Sequence, residues 1–406
     1  MAGPLPARPR CGHRAVPAAA RGRRDVHGGR LAGHRVRHGH PAVRRHPRRH
    51  ARTAAPARSL VLRPARSRRG GSRPPQHRGG RGRQPRRAVA PAVRAAAHAR
   101  TALTGVARPT DPLAGLDQVP WESLHHAYGP AVDVPGQLRA LRSAEVPSRR
   151  RALSELAGNV HHQGTRWGAS CHVVPFLVAL ADDPGTPDRA AVVRLLRAVI
   201  LGDRRDDALP FDPRRAFAAA EAITDGQAAL VEGHLAAGDL CEHDEAASLA
   251  DDVAVRWAAD AFHAGARHTD RYVRWLTEPD PQLAGYAAEL LAWFAPDEAA
   301  LAGLVVVPAD GAHAAARASA NLTLGHWPAG SERIDTRLGE LLSANTAVVR
   351  VTAAVGLAHR LGDQLPDRAL DVLAGARSSD FDAEVPGWDR SVRGFVALAL
   401  HRIGLG

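Results

Sequence analysis

The densest group of chemically capable side chains in this sequence is His161-His162-Gln163-Gly164-Thr165-Arg166-Trp167. Two imidazoles, a carboxamide, a hydroxyl and a guanidinium within seven residues could grip a ligand or a protein partner. The same groups could instead satisfy the carbonyls of a helix-to-helix turn, with Gly164 supplying the bend. Packing is the simpler of the two uses, because stacked helices need polar satisfaction at their turns. Metal binding fits poorly, since adjacent His residues on a helix diverge and no carboxylate follows four residues on. The residues singled out as a binding surface are therefore His161, His162, Gln163, Thr165, Arg166 and Trp167.

Other clusters are weaker. Glu122 and His125 are three apart and could share the face of a first helix, beside His126, with Trp121 and Tyr128 packing onto the next unit. Cys241-Glu242-His243-Asp244-Glu245 superficially resembles a metal site, but consecutive residues do not converge on one ion, and a polar loop or helix start is expected. Cys11, Cys171 and Cys241 form no CxxC pair. Cys171 and Cys241 are expected to be small core residues, and the thiol pattern fits a reducing cytoplasm. Trp257, Trp275, Trp293, Trp327 and Trp388 could form an aromatic row. Apolar neighbours place Trp257 and Trp293 in the core, whereas Pro386 and Gly387 suggest that Trp388 is exposed or in a loop. No phosphate loop, dinucleotide fingerprint, nucleophile elbow or H-E-x-x-H motif occurs. No catalytic residue, cofactor or metal is assigned.

The elements that must position these groups begin near residue 110. The chain carries a formal net charge of +14, yet residues 1–100 hold 27 Arg and a single acid, Asp25. The remaining 28 Arg face 40 Asp and Glu, a net of −12. Residues 1–109 lack Phe, Trp, Tyr, Ile and Glu and should be disordered, because they cannot bury enough apolar surface to offset ordering. A basic nucleic-acid or lipid-binding tail and a targeting peptide are two readings of this segment. Its Arg/Pro/Ala/Gly/His composition favours a third, GC-rich DNA read out of frame or from too early a start. Residues 110–406 form the expected folded domain. No apolar stretch is long enough for a membrane span.

In that domain apolar residues recur at helical spacing. Leu138 and Leu141, then Leu153, Leu156 and Val160, mark two early helices, and Val192, Leu195, Leu196 and Val199 mark another. Residues 282–294, 312–324, 347–361 and 391–403 each predict one more, and residues 304–307 the end of a buried helix. Asp280-Pro281, Asp183-Pro184 and Pro187-Asp188 stand where an N-cap is wanted. An Arg followed by small residues recurs in Val253-Ala254-Val255-Arg256-Trp257-Ala258-Ala259, in Arg317-Ala318-Ser319-Ala320 and in Val349-Arg350-Val351-Thr352-Ala353-Ala354. The small residues permit close helix approach, and the Arg is expected to reach the acidic turn of a neighbouring unit. Residues 202–247 are poorly periodic and read as an insertion or a divergent unit.

With its Asp-Pro turns, Val-Arg-x-x-Ala-Ala cores and Leu-rich second helices, the chain resembles the HEAT-repeat (armadillo-like) proteins over most of residues 120–405. Trp121-Glu122-Ser123-Leu124-His125-His126-Ala127-Tyr128-Gly129 and Asn159-Val160-His161-His162 are similar to segments of a bacterial, actinobacterial-type group of such proteins without established activity. The resemblance implies an all-α fold, an α-solenoid of helix pairs, with six or seven units of about 40–47 residues. A non-catalytic scaffold binding a protein partner on its concave face is the function expected. The alternatives are a HEAT-like nucleic-acid-binding or DNA-repair protein, disfavoured by the acidic body, and a small-molecule lyase, for which no catalytic pair is evident. Nucleic acid is an expected partner only of the basic tail, and only on the reading in which that tail is translated protein.

Overall fold

The computed structural model describes residues 111–328 and 330–405. The readings of residues 1–109 and of Cys11 lie outside them. Two 3-10 turns, Leu116–Gln118 and Trp121–Ser123, lead into a two-residue antiparallel hairpin, β1 (His125–His126) and β2 (Gly129–Pro130). Fifteen α-helices follow among the described residues: α1 (Val134–Ala140), α2 (Val146–Val160), α3 (Ser170–Asp182), α4 (Arg189–Leu201), α5 (Pro213–Ala216), α6 (Asp225–Ala237), α7 (Asp244–Ala266), α8 (Thr269–Trp275), α9 (Pro281–Leu290), α10 (Glu298–Val306), α11 (Ala314–His326), α12 (Glu332–Leu341), α13 (Ala347–Leu361), α14 (Asp367–Ser378) and α15 (Val392–Arg402). The chain is thus helix-rich, with the hairpin as its one small sheet among the described residues. None of the described helices is long and apolar enough to cross a membrane.

The apolar spacing maps onto these helices closely. Residues 347–361 coincide with α13, and the two early leucine patterns with α1 and α2. The stretch 304–307 closes α10, although only Leu304 and Val307 are buried and Val306 is exposed. Asp280 caps α9 by accepting from the amides of Gln282 and Leu283. Asp188 stands at the start of α4 but does not cap it. Its backbone is left-handed, at φ 52°, and its carboxylate instead accepts from Arg149 Nε at 2.7 Å.

Helices α2, α4, α9, α11, α13 and α15 touch in succession. The intervening helices flank this line: α1 on α2, α3 on α4, α8 on α9, α12 and α14 on α13. One large core runs through the line, and a smaller cluster of Ile223, Val231, Ala246, Val253 and Trp257 sits between α6 and α7. Helices α11 and α13 approach each other closely. A Cβ on Gly325 would lie 2.6 Å from Gly356 Cα, so neither position has room for a larger residue without displacing a backbone. Small polar residues on α11 bond to its neighbours. Ser319 and Thr323 donate to the Gly285 and Ala288 carbonyls of α9, and Asn321 donates to Val349 O on α13.

Of the recurring arginines, Arg256 does reach an acidic turn, pairing with Asp225 at 2.8 Å while donating to Ile223 O, whereas Arg317 and Arg350 do not, and Arg149, outside that motif, behaves as they do. Arg149, Arg317 and Arg350 are each the fourth residue of their helix. Arg149 Nη1 donates to Ser143 O and Ala144 O, and Arg350 Nη1 to Ala344 O and Asn345 O, in the same register. Arg317 Nη1 donates to Leu304 O, Val305 O and Val307 O at the end of α10. The target is carbonyl oxygen, because the chain leaving a helix presents carbonyls without intrahelical donors at the negative end of the dipole. Arg149 and Arg256 add carboxylates, Asp188 and Asp225, but Arg317 has none.

Trp257, Trp275, Trp293, Trp327 and Trp388 are all buried, and Trp388 is only 8% exposed. Trp388 lies in a loop as its neighbours imply, yet it stacks on His326 and donates Nε1–H to Ser319 Oγ at 2.9 Å. Cys241 is exposed rather than in the core.

Two expectations follow. Arg317→Met should destabilise the fold by about 3 kcal/mol, since three buried carbonyls lose a charged donor, whereas Arg350→Met should cost about 1 kcal/mol; urea unfolding midpoints would check the ranking. Burial holds His326 down to about 4 and His359 to about 3, with Arg402 adding to both. Between pH 6.5 and 4 the unfolded chain takes up protons that these rings refuse, so their contribution to stability is present above 6.5 and is lost as pH falls, by roughly 1.4 kcal/mol per unit per ring. Replacing both with Gln should flatten the fall in melting temperature over that window.

Candidate functional site

The segment 161–167 is a tight reversal between α2 and α3. His162 and Thr165 form an isolated antiparallel bridge, with Thr165 N donating to His162 O at 2.9 Å. Gln163 and Gly164 occupy the two central positions with φ 48° and 80°, the left-handed pair a two-residue hairpin turn requires. Only Gln163 of the seven residues is fully exposed.

The structure divides these residues into two groups. Arg166 and Trp167 face inward. The Arg166 guanidinium donates to Gly164 O and packs so closely on Gly202 that a Cβ there would overlap Nη1. Burial lowers its pKa to about 10, with nearby Arg204 acting in the same direction. Trp167 stacks on Trp257 at 6.1 Å between centroids, and its amide donates to Ser170 Oγ, which in turn donates to Val160 O. Both residues serve the α2–α3 junction and the small cluster under α6. His161 is half-buried, and burial lowers its pKa against the pull of Asp203. Its Nε2 lies 3.4 Å from Asp203 without forming a hydrogen bond. His162, Gln163 and Thr165 remain at the surface edge.

His162 leads to the hairpin. Its Nδ1 pairs with Tyr128 Oη at 3.1 Å, and the two rings meet edge to face. His125 and His126 therefore lie on a strand, not on a helix face with Glu122. Pro120, Gly129 and Pro130 break the helix, and Ala131 N returns to Leu124 O at 2.8 Å. Trp121 is buried as expected and donates to Leu116 O at 2.8 Å, but Tyr128 is 68% exposed.

Asp133, which the sequence reading did not single out, holds the hairpin in place. Its Oδ1 accepts from His126 Nε2 at 2.9 Å, while its Oδ2 accepts from Gln137 Nε2 at 2.9 Å and Asn159 Nδ2 at 3.0 Å. His126 Nδ1 accepts from Tyr128 N, so the ring carries its proton on Nε2. Asn159 O accepts from Ala127 N at 3.0 Å, tying the hairpin tip to α2. Behind the hairpin, Glu232 on α6 accepts from His125 N at 2.7 Å, and burial raises the pKa of that carboxyl. Asn159, on α2, is 22 residues from Gln137 on α1 and 26 from Asp133 just before it. Only the Asp133–Gln137 spacing, four residues at a helix start, left a local trace.

The same three residues line a groove of ≈ 530 Å³ between α1 and α2, with Ser148, Arg151 and Glu155 of α2 beside Asn159. A second hollow of ≈ 360 Å³ holds Cys171, His172, Asp260 and His263. There burial pushes the Cys171 thiol up to about 12, which leaves it a poor nucleophile.

Asp133→Ala removes the acceptor shared by His126, Gln137 and Asn159. Amide exchange of residues 125–130 should accelerate at least tenfold, with a global cost of about 1–3 kcal/mol; unchanged exchange in the hairpin would contradict the role given to Asp133. Comparison of the chain with protein-family models, curated proteins and solved structures returns no match, and function is argued from this geometry.

Proposed function

We propose that residues 110–406 are a HEAT-like α-solenoid and act as a non-catalytic scaffold that holds a protein partner. Two features support the repeat reading. Alternate helices touch in a line from α9 to α15, and the arginine clamp recurs in one register at Arg149 and Arg350. Stacks of this kind present extended surface to a partner.

The observation that carries the binding reading is Tyr128. A large aromatic residue stands 68% exposed on a hairpin whose backbone and neighbours are pinned from three sides, by Asp133, Asn159 and Glu232. A rigid aromatic that costs little entropy to immobilise is the kind of side chain that anchors protein interfaces. Val132, also exposed, flanks it, and the α1/α2 groove offers Arg151, Glu155 and Ser148 to a polypeptide backbone and its side chains. The partner surface thus centres on Tyr128, His162, Gln163 and the groove, while Arg166 and Trp167 support it from beneath. The acidic balance of the body, net −12 outside residues 1–100, favours a protein over nucleic acid.

A photo-crosslinking residue placed at 128 should capture one discrete polypeptide in cells. The capture should be lost when Arg151 and Glu155 exchange charges, and should be absent when the probe sits at exposed Val306. The same polypeptides captured at 128 and 306 would overturn the assignment.

A further inference from the structure

The geometry points to a divalent transition-metal site, of the zinc class, formed by His234, Asp239 and His243 at the junction of α6 and α7. The local fold brings these residues together. Helix α6 ends on Gly238 in the left-handed conformation, φ 75°, with Gly238 N and Asp239 N both donating to His234 O, at 3.0 and 3.1 Å. That reversal swings the Asp239 carboxylate back beside the His234 ring. A 3-10 turn, Leu240–Glu242, then delivers His243 to the start of α7. Consecutive residues around Cys241 do not converge; the converging set comes from the end of one helix, the turn and the start of the next.

The donor atoms are spaced for one ion. His234 Nδ1 is 2.9 Å from Asp239 Oδ1, and His243 Nε2 is 3.4 Å from Asp239 Oδ2. One ligand atom from each residue lies within 4.8 Å of the other two. Tetrahedral donors at about 2.0–2.1 Å from zinc are separated by about 3.3 Å, so a small closure completes the set. The imidazoles lie 3.7 Å apart between centroids, tilted by 30°, and both turn a nitrogen to the same carboxylate. Two nitrogens and one oxygen suit zinc, cobalt or nickel and not magnesium or calcium, which prefer all-oxygen shells. His243 is half exposed, so solvent can fill the fourth position.

A second, independent observation gives the site a purpose. Helix α6 fully buries only Val231, and the cluster it shares with α7 is small and separate from the main core. Such a satellite gains more from a metal staple than from its own apolar area. Glu232, two residues before His234 on the same helix, holds the hairpin by His125 N. The ion would therefore pin the helix that backs the Tyr128 surface, whether or not that surface binds a protein.

Hydrogen exchange on the full chain, with Zn²⁺ as the added ligand, tests this. One equivalent of Zn²⁺ bound here should slow exchange in residues 230–250 at least fivefold, while Mg²⁺ should not. His243→Ala and His234→Gln should each abolish the slowing, with unchanged circular dichroism confirming that the helices persist. Exchange in residues 230–250 that Zn²⁺ leaves unaltered in the native chain, or slows equally in both variants, would overturn the assignment.

Discussion

A helix that ends inside a stack leaves carbonyl oxygens with neither an intrahelical donor nor free access to water. This chain answers that constraint with arginine. A guanidinium from the fourth residue of the next helix reaches back and donates to the carbonyls just traversed, as Arg149, Arg317 and Arg350 each do. Arg360 extends the scheme, donating to Trp327 O and Pro328 O while its Nε pairs with Asp335. Because one side chain satisfies several oxygens, the turns can be short and the helices can lie close. The small residues of α11 and α13 exploit that closeness, with Gly325 against Gly356 and Asn321 bridging to Val349.

The charge of the molecule takes on a different meaning in this light. Arginines that might have formed a nucleic-acid surface are spent on internal carbonyls or on carboxylates, as in Arg189 with Glu278 and Arg197 with Glu289. Glu289 is fully buried, and burial pushes its carboxyl up to about 7 despite Arg197 and the Trp293 indole. Such a pair carries a cost in desolvation, offset in part by the contact it makes between α4 and α9.

Much of the helical scaffold was legible in the sequence because it rests on local rules. Apolar spacing located α2, α4, α13 and α15, and the Asp280-Pro281 cap located α9. The arginine motif was visible too, and so was the acidic target of Arg256, but not the backbone carbonyls that Arg317 and Arg350 meet, which leave no mark in a sequence. What escaped reading depends on distant residues. Pro120 and Pro130 bound a hairpin where helical spacing of Glu122 and His125 suggested a turn of helix. Trp388 looked like a loop residue and is one, yet Ser319 and His326, more than sixty positions away, bury it. The binding residues divided for the same reason. Arg166 and Trp167 are the most chemically conspicuous of the seven, and Gly202 and Trp257 claim them from afar.

The guanidinium, with its several nitrogens, and not positive charge alone, closes the helix ends. Lysine keeps the charge of Arg317 but has one nitrogen, whereas Arg317 uses Nη1 for Leu304, Val305 and Val307 and Nε for Asn321 Oδ1 at 2.9 Å. The direct measurement is the chemical unfolding midpoint of Arg317→Lys against the parent chain. A loss of most of the stability that outright removal of the side chain costs would support the clamp. A midpoint equal to that of the parent would contradict it.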